Sequence, residues 1–85
     1  MVQLINWRMY LVLEYIRDNK DACFMKIENY FKANPTTVKL WLDYFRESGY
    51  LLIERSKKDK RVNILIITEK GLRTLRLIKE IGIKK

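Results

Sequence analysis

Eighty-five residues are expected to form one small domain, residues 1–85, because the usual size of a folding unit leaves no room for a second core. With 48% apolar and 33% charged residues the composition is that of a folded soluble chain, which excludes a disordered tail. Eighteen Lys and Arg against ten Asp and Glu give a formal charge of +8, so a polyanion is the leading partner.

The single cysteine, Cys23, and the lack of histidine leave neither an intrachain disulfide nor a plausible metal set. No cofactor is expected. Chains this short often lean on a second copy of themselves, and self-association is what remains. No apolar run of about 18 residues exists, so neither a membrane span nor a leader is read, and a reduced, cytoplasmic protein is expected. The charge is uneven. Residues 1–49 carry seven basic and six acidic side chains, whereas residues 50–85 carry eleven and four.

Residues 3–16 have a helical period with two apolar stripes. Leu4, Trp7, Leu11 and Tyr15 make one; Val2, Ile5, Met9, Val12, Leu13 and Ile16 make the other. Gln3, Asn6, Tyr10, Glu14 and Arg17 are left for a polar side. One core in so small a domain does not hide both stripes, so the first is expected to face a partner subunit, the alternative being a long flanking helix that covers both.

Asp21 is placed to cap a second helix over residues 22–32, with Phe24, Ile27 and either Tyr30 or Phe31 facing inward. Asn34 before Pro35 reads as a new start, an amide cap followed by proline at the first helical position. The third helix covers residues 35–48, buries Val38, Trp41, Leu42 and Phe45, and stops at Gly49 in the left-handed conformation. Two short helices joined by a tight turn form a helix-turn-helix.

After Gly49 the period becomes strand-like over residues 50–55 and 62–67, joined by a loop at 56–61. In the second strand apolar residues fall on both faces, so it is expected to be covered on both sides or to lie in an interface. Thr68 caps a final helix running to Ile81, with Glu69 in its first turn. Leu72, Leu75, Leu77, Ile78 and Ile81 spread over more than half its circumference. Trp7, Leu11, Tyr15, Leu77, Ile78 and Ile81, together with Leu4, are therefore the expected homodimer interface. The order α-α-α-β-β-α with a basic hairpin is an α+β winged helix-turn-helix, its hairpin a two-stranded wing and its last helix a dimerisation helix.

The wing concentrates charge. From Arg55 to Arg61 it holds Arg55, Lys57, Lys58, Lys60 and Arg61 against Asp59 alone, a net +4 in seven positions. A guanidinium suits the narrow, electronegative minor groove of A·T-rich DNA, and a carboxylate two residues away can fix its direction. A solvated hairpin tip would explain the lysines but not the embedded Asp59.

The third helix nets zero charge. Opposite its apolar stripe, Thr36 and Thr37 suit phosphates or bases, Lys39 suits guanine or phosphate, and Leu40 suits thymine methyls; Tyr44 lies beside them. Asp43 and Glu47 oppose phosphate unless they pair with neighbouring basic residues or accept from a cytosine amino group. Lys70, Arg73, Arg76, Lys79, Lys84 and Lys85 add general attraction to DNA. Cys23 reads as a small packed residue, with an intersubunit disulfide the alternative. Trp7 and Trp41 fall on apolar stripes and serve the core or an interface rather than base stacking. An enzyme is not expected, since histidine, a glycine-rich phosphate loop and a metal set are all missing.

Asp59-x-Arg61, the strand after it and Thr68-x-x-Gly71 resemble the wing and following helix start of the MarR-like winged-helix repressors. The segment from Asn34 to Val38 and the later Gly49 resemble the start and end of that family's recognition helix, so the likeness covers residues 24–71. It implies Arg61 as the minor-groove reader and Asp59 as its orienting partner. MarR-like proteins are longer, with further helices that build the dimer and often a ligand pocket, so no small-molecule ligand is expected here. Size and Lys and Ile usage are similar to those of compact single-wing proteins of archaea and their viruses. The resulting expectation is a sequence-specific, double-stranded-DNA-binding transcriptional regulator acting as a homodimer, with helix 35–48 in the major groove and wing 55–61 in the minor groove. An architectural DNA binder and a winged helix turned to protein contact are the alternatives.

Overall fold

The computed structural model describes residues 7–81. Leu4, the other expected apolar positions before Trp7, and Lys84 and Lys85 lie outside them. Four helices and a hairpin follow in the order α1 (Trp7–Asp18), α2 (Phe24–Phe31), α3 (Pro35–Glu47), β1 (Leu51–Arg55), β2 (Asn63–Ile67) and α4 (Glu69–Ile81).

The stripe of Met9, Val12, Leu13 and Ile16 on α1 is the centre of the core. Tyr10, expected on the polar side, is buried as well. It lies three residues before Leu13 on the same helical face, its ring stacks on Trp7 with centroids 5.6 Å apart, and its hydroxyl donates to Glu14 Oε2 at 3.2 Å. A tyrosine can thus enter a core if its polar tip finds a partner at the edge.

Helix α2 begins two residues later than expected, and Asp21 is not its cap. The N-cap is Cys23, extended at φ −148° and without a side-chain cap bond. Tertiary pairing outweighs the local cap signal here: Leu65 N donates to Ala22 O at 2.8 Å, which holds residues 22–23 alongside β2. Cys23 is packed and free, as a small apolar residue would be. Of the two candidates for the inward position, Phe31 packs against the core and Tyr30 stays exposed.

Asn34 caps α3 as expected, its Oδ1 accepting from Thr37 N at 2.8 Å. Val38, Leu42 and Phe45 are buried, and Trp41 packs at the core's edge beneath the Arg8 guanidinium. The helix ends at Glu47, with Ser48 as C-cap and Gly49 at φ 82°. Tyr50 N then donates to Phe45 O at 2.8 Å and Gly49 N to Arg46 O at 3.0 Å. Those paired bonds are a Schellman stop, completed by contact between the Phe45 and Tyr50 rings.

The strands pair antiparallel, Leu51 opposite Ile67 through Arg55 opposite Asn63. Each begins one residue later than expected, because Tyr50 completes the helix stop and Val62 N bonds to Asp59 O in the wing turn. Leu65 and Leu51 are buried. The opposite face is not fully covered in this chain: Leu52 is 56% exposed and its cross-strand neighbour Ile66 37%.

Thr68 and Gly71 form the joint between the sheet, α3 and α4. The Thr68 hydroxyl donates to Gly49 O at 2.6 Å and accepts from Gly71 N at 3.0 Å, capping α4 while tying it to the end of α3. Gly71 is buried against the Tyr50 carbonyl, and a side chain there would meet that oxygen and Ile67 Cγ1. Leu75 completes the core from α4.

Candidate nucleic-acid interface

The wing tip is built on Ser56, a residue that the composition of the loop conceals. It is buried, its N–H donates to Val62 O at 2.8 Å, and its Oγ accepts from the backbone N–H groups of Lys58 and Asp59, each at 3.2 Å. A serine followed by two or three polar residues is a local turn signal, weak on its own. Arg55 Nη1 donates to Lys60 O at 2.7 Å and braces the far side of the loop. One of the five expected wing cations therefore supports the turn that carries the other four.

Arg61 and Asp59 form the clasp that the sequence predicts. Asp59 Oδ1 accepts from Arg61 N at 3.0 Å and Arg61 Nε at 3.2 Å, and Oδ2 accepts from Arg61 Nη2 at 3.3 Å. The Arg61 side chain is bonded to Asp59 yet 90% exposed, so its guanidinium is aimed without being withdrawn from solvent. The side-chain bond to Arg61, with the backbone bond second, holds the Asp59 carboxyl below the usual carboxylate range. Among the described residues no carboxylate pairs with Lys57, Lys58 or Lys60, all exposed.

Helix α3 treats its charges differently. Lys39 Nζ lies 2.7 Å from Asp43 Oδ2, and Arg46 Nη2 lies 3.8 Å from Asp43 Oδ1. Asp43 thus pairs with neighbouring basic residues, one of the two outcomes left open for it, whereas Glu47 is exposed and pairs with no cation among the described residues. The Asp43 carboxyl is held below the usual range chiefly by Lys39. Thr36 and Leu40 stand exposed on this face, Leu40 at 66%. Thr37 is half-buried with its N–H committed to the Asn34 cap. Tyr44 is also half-buried, its ring set against Phe45 and Tyr50. The Lys39–Asp43 pair borders a cleft floored by Phe24, Leu42, Ile53 and Leu65, between α3 and the sheet.

On the other expected surface, Trp7, Leu11, Tyr15 and Ile78 are half-buried at the core's edge, whereas Leu77 is 56% and Ile81 82% exposed. Tyr15 also packs on Tyr30 and Phe31, at centroid distances of 4.7 and 5.8 Å. Among the described residues no helix is long and apolar enough to cross a membrane, and no cluster of His, Cys, Asp and Glu is grouped to hold a metal.

No family model and no curated protein matches the sequence. Solved structures do. Streptococcus pneumoniae FabT, crystallised in complex with DNA, matches at TM-score 0.78 and 26% identity over 91% of this chain and 54% of its own. The transcriptional repressor CouR, bound to a 23-mer DNA duplex, matches at TM-score 0.83 and 25% identity with the same two coverages. A mutant MarR from E. coli, complexed with operator DNA, matches at TM-score 0.81 and 17% identity over 89% of this chain and 54% of its own. The chain spans about half the length of these proteins. Its helix-turn-helix, clasped basic wing and capping joint make up the winged-helix fold of the MarR-type transcriptional regulators.

Proposed function

We propose that this protein is a transcriptional regulator, not an enzyme, that binds double-stranded DNA as a homodimer. Helix α3 enters the major groove and the wing tip follows the adjacent minor groove. The observation that carries this reading is the Asp59–Arg61 clasp, which presents an oriented and exposed guanidinium at the end of a net-positive hairpin. Structural likeness to proteins crystallised on DNA supports it. The internal pairing of Asp43 supports it too, since that carboxylate then repels phosphate less.

A second copy joined through α1 and α4 would cover Leu77 and Ile81 and place two recognition helices about 34 Å apart on a pseudo-palindromic site. Selection of bound duplexes from random DNA at two salt concentrations tests the reading. A recurring two-fold-symmetric motif is expected. Recovery of unselected sequence, with affinity that collapses steeply as salt rises, would indicate an architectural protein instead. Sedimentation at micromolar concentration is expected to give the dimer mass, and a monomer would remove the dimer from the reading.

A further inference from the structure

Three of the four charged side chains of α3 are committed to one another, Glu47 at its C-terminal end standing apart. Asp43 holds Lys39 at 2.7 Å and Arg46 at 3.8 Å, so among the described residues both cations of the helix between Thr36 and Glu47 have an intramolecular partner. In the middle of that paired surface stands Leu40, 66% exposed. It lies opposite the buried stripe of Val38, Leu42 and Phe45, one turn after Thr36 and one turn before Asp43.

An exposed leucine amid paired charges loses nothing by being covered, and a neutral surface does not compete for phosphate. In a major groove the one apolar group that a base edge presents is the thymine 5-methyl. We infer that Leu40 is the sequence-determining residue of α3 and that it reads a thymine methyl in each half-site, with the Lys39–Asp43 pair flanking the contact rather than reading guanine. The inference rests on the proposed DNA-binding function and narrows it to a base, an atom and a side chain.

Deoxyuridine tests it, because replacing thymine by uracil removes only the methyl and leaves every hydrogen-bonding edge of the pair in place. On a duplex recovered by selection, each thymine is replaced in turn and the dissociation constant measured for the protein and for Leu40→Ala. Leu40 is exposed, so the variant is expected to fold, and circular dichroism checks this.

One thymine per half-site is expected to cost about fourfold when replaced, the equivalent of one methyl no longer buried. Leu40→Ala should lose a similar factor on the thymine duplex and show no further loss on the uracil duplex. Binding that stays sequence-selective yet changes less than twofold at every uracil position overturns this inference alone. So does a Leu40→Ala variant that keeps the full uracil penalty. A protein that binds no duplex overturns the regulator reading itself, and the two failures are therefore distinct.

Discussion

The wing and helix α3 use charge in opposite ways. Five cations and one carboxylate crowd the seven wing positions, and the carboxylate serves to aim a single arginine. Helix α3 carries two cations and two carboxylates, and Asp43 takes up both cations. On the proposed reading the wing supplies long-range attraction and, through Arg61, a preference between flanks, whereas α3 offers a surface of no net charge whose contacts depend on shape. Substitutions can separate these contributions.

The largest effect is expected where the two elements are joined. Gly71→Ala forces a side chain against the Tyr50 carbonyl and Ile67, at the point where α4, the sheet and the end of α3 meet. Overpacking of this kind costs about 1–3 kcal/mol, a drop in Tm of roughly 10 °C for a domain of this size. Thermal unfolding measures it, and an unchanged Tm would mean that the joint yields easily.

Next in size is Arg61→Ala, which removes the aimed guanidinium but leaves α3 intact. Binding should weaken on the order of tenfold at sites with A·T-rich flanks and less at G·C-rich ones. If both flanks lost equally, Arg61 would be one more cation and the clasp would have no reading role.

Lys57→Ala with Lys58→Ala tests the remainder of the wing. These lysines pair with no carboxylate among the described residues, so they are free to neutralise phosphates. A plot of log affinity against log salt should become shallower by about 2, one for each lost contact, with site preference retained. A change of preference instead would give these lysines a reading role beside Arg61 and break the division of labour within the wing.

The smallest effect concerns Asp59. In Asp59→Asn the net charge rises, so total binding holds or increases, while Arg61 gains rotamer freedom and the preference between flanks shrinks by roughly two- to threefold. The same clasp sets a pH expectation. Because Arg61 depresses the folded-state pKa of Asp59, the clasp's contribution is complete above the ordinary carboxylate value near 4, and is lost as pH falls through the lower folded value. Flank preference should therefore be constant from about pH 5 to 8. A slope in that window would mean that another group titrates.

Where a local rule also satisfied the tertiary structure, the sequence was a sufficient guide. Asn34-Pro35 starts α3 and Gly49 stops it, Thr68 caps α4, and the Asp59–Arg61 spacing makes the clasp. Each involves groups within a few residues, whose geometry is set by short covalent connections. Asp21 failed as a cap because Leu65, distant in sequence, draws the chain at Ala22 into an extended pairing. Tyr10 is buried against its polar residue type because its polarity resides in one hydroxyl, and Glu14 satisfies that hydroxyl from the next turn. The roles of Ser56 and Arg55 were hidden because composition counts an arginine as a cation, whereas geometry makes this one a brace for the loop.

What the sequence determined by itself is the order of elements, most of their caps and the concentration of positive charge in the wing, all of which follow from local propensity and from charges fixed by residue type. Tertiary structure alone decided which groups far apart in sequence meet and which side chains are covered. It drew Ala22 into pairing with Leu65, tied Thr68 to the end of α3 at Gly49, buried Ser56 under the wing and left Leu40 standing clear. The physical reason is distance: caps and ion pairs between residues two to four apart are set by short covalent connections, but only a fold brings groups distant in sequence within a few ångströms of one another.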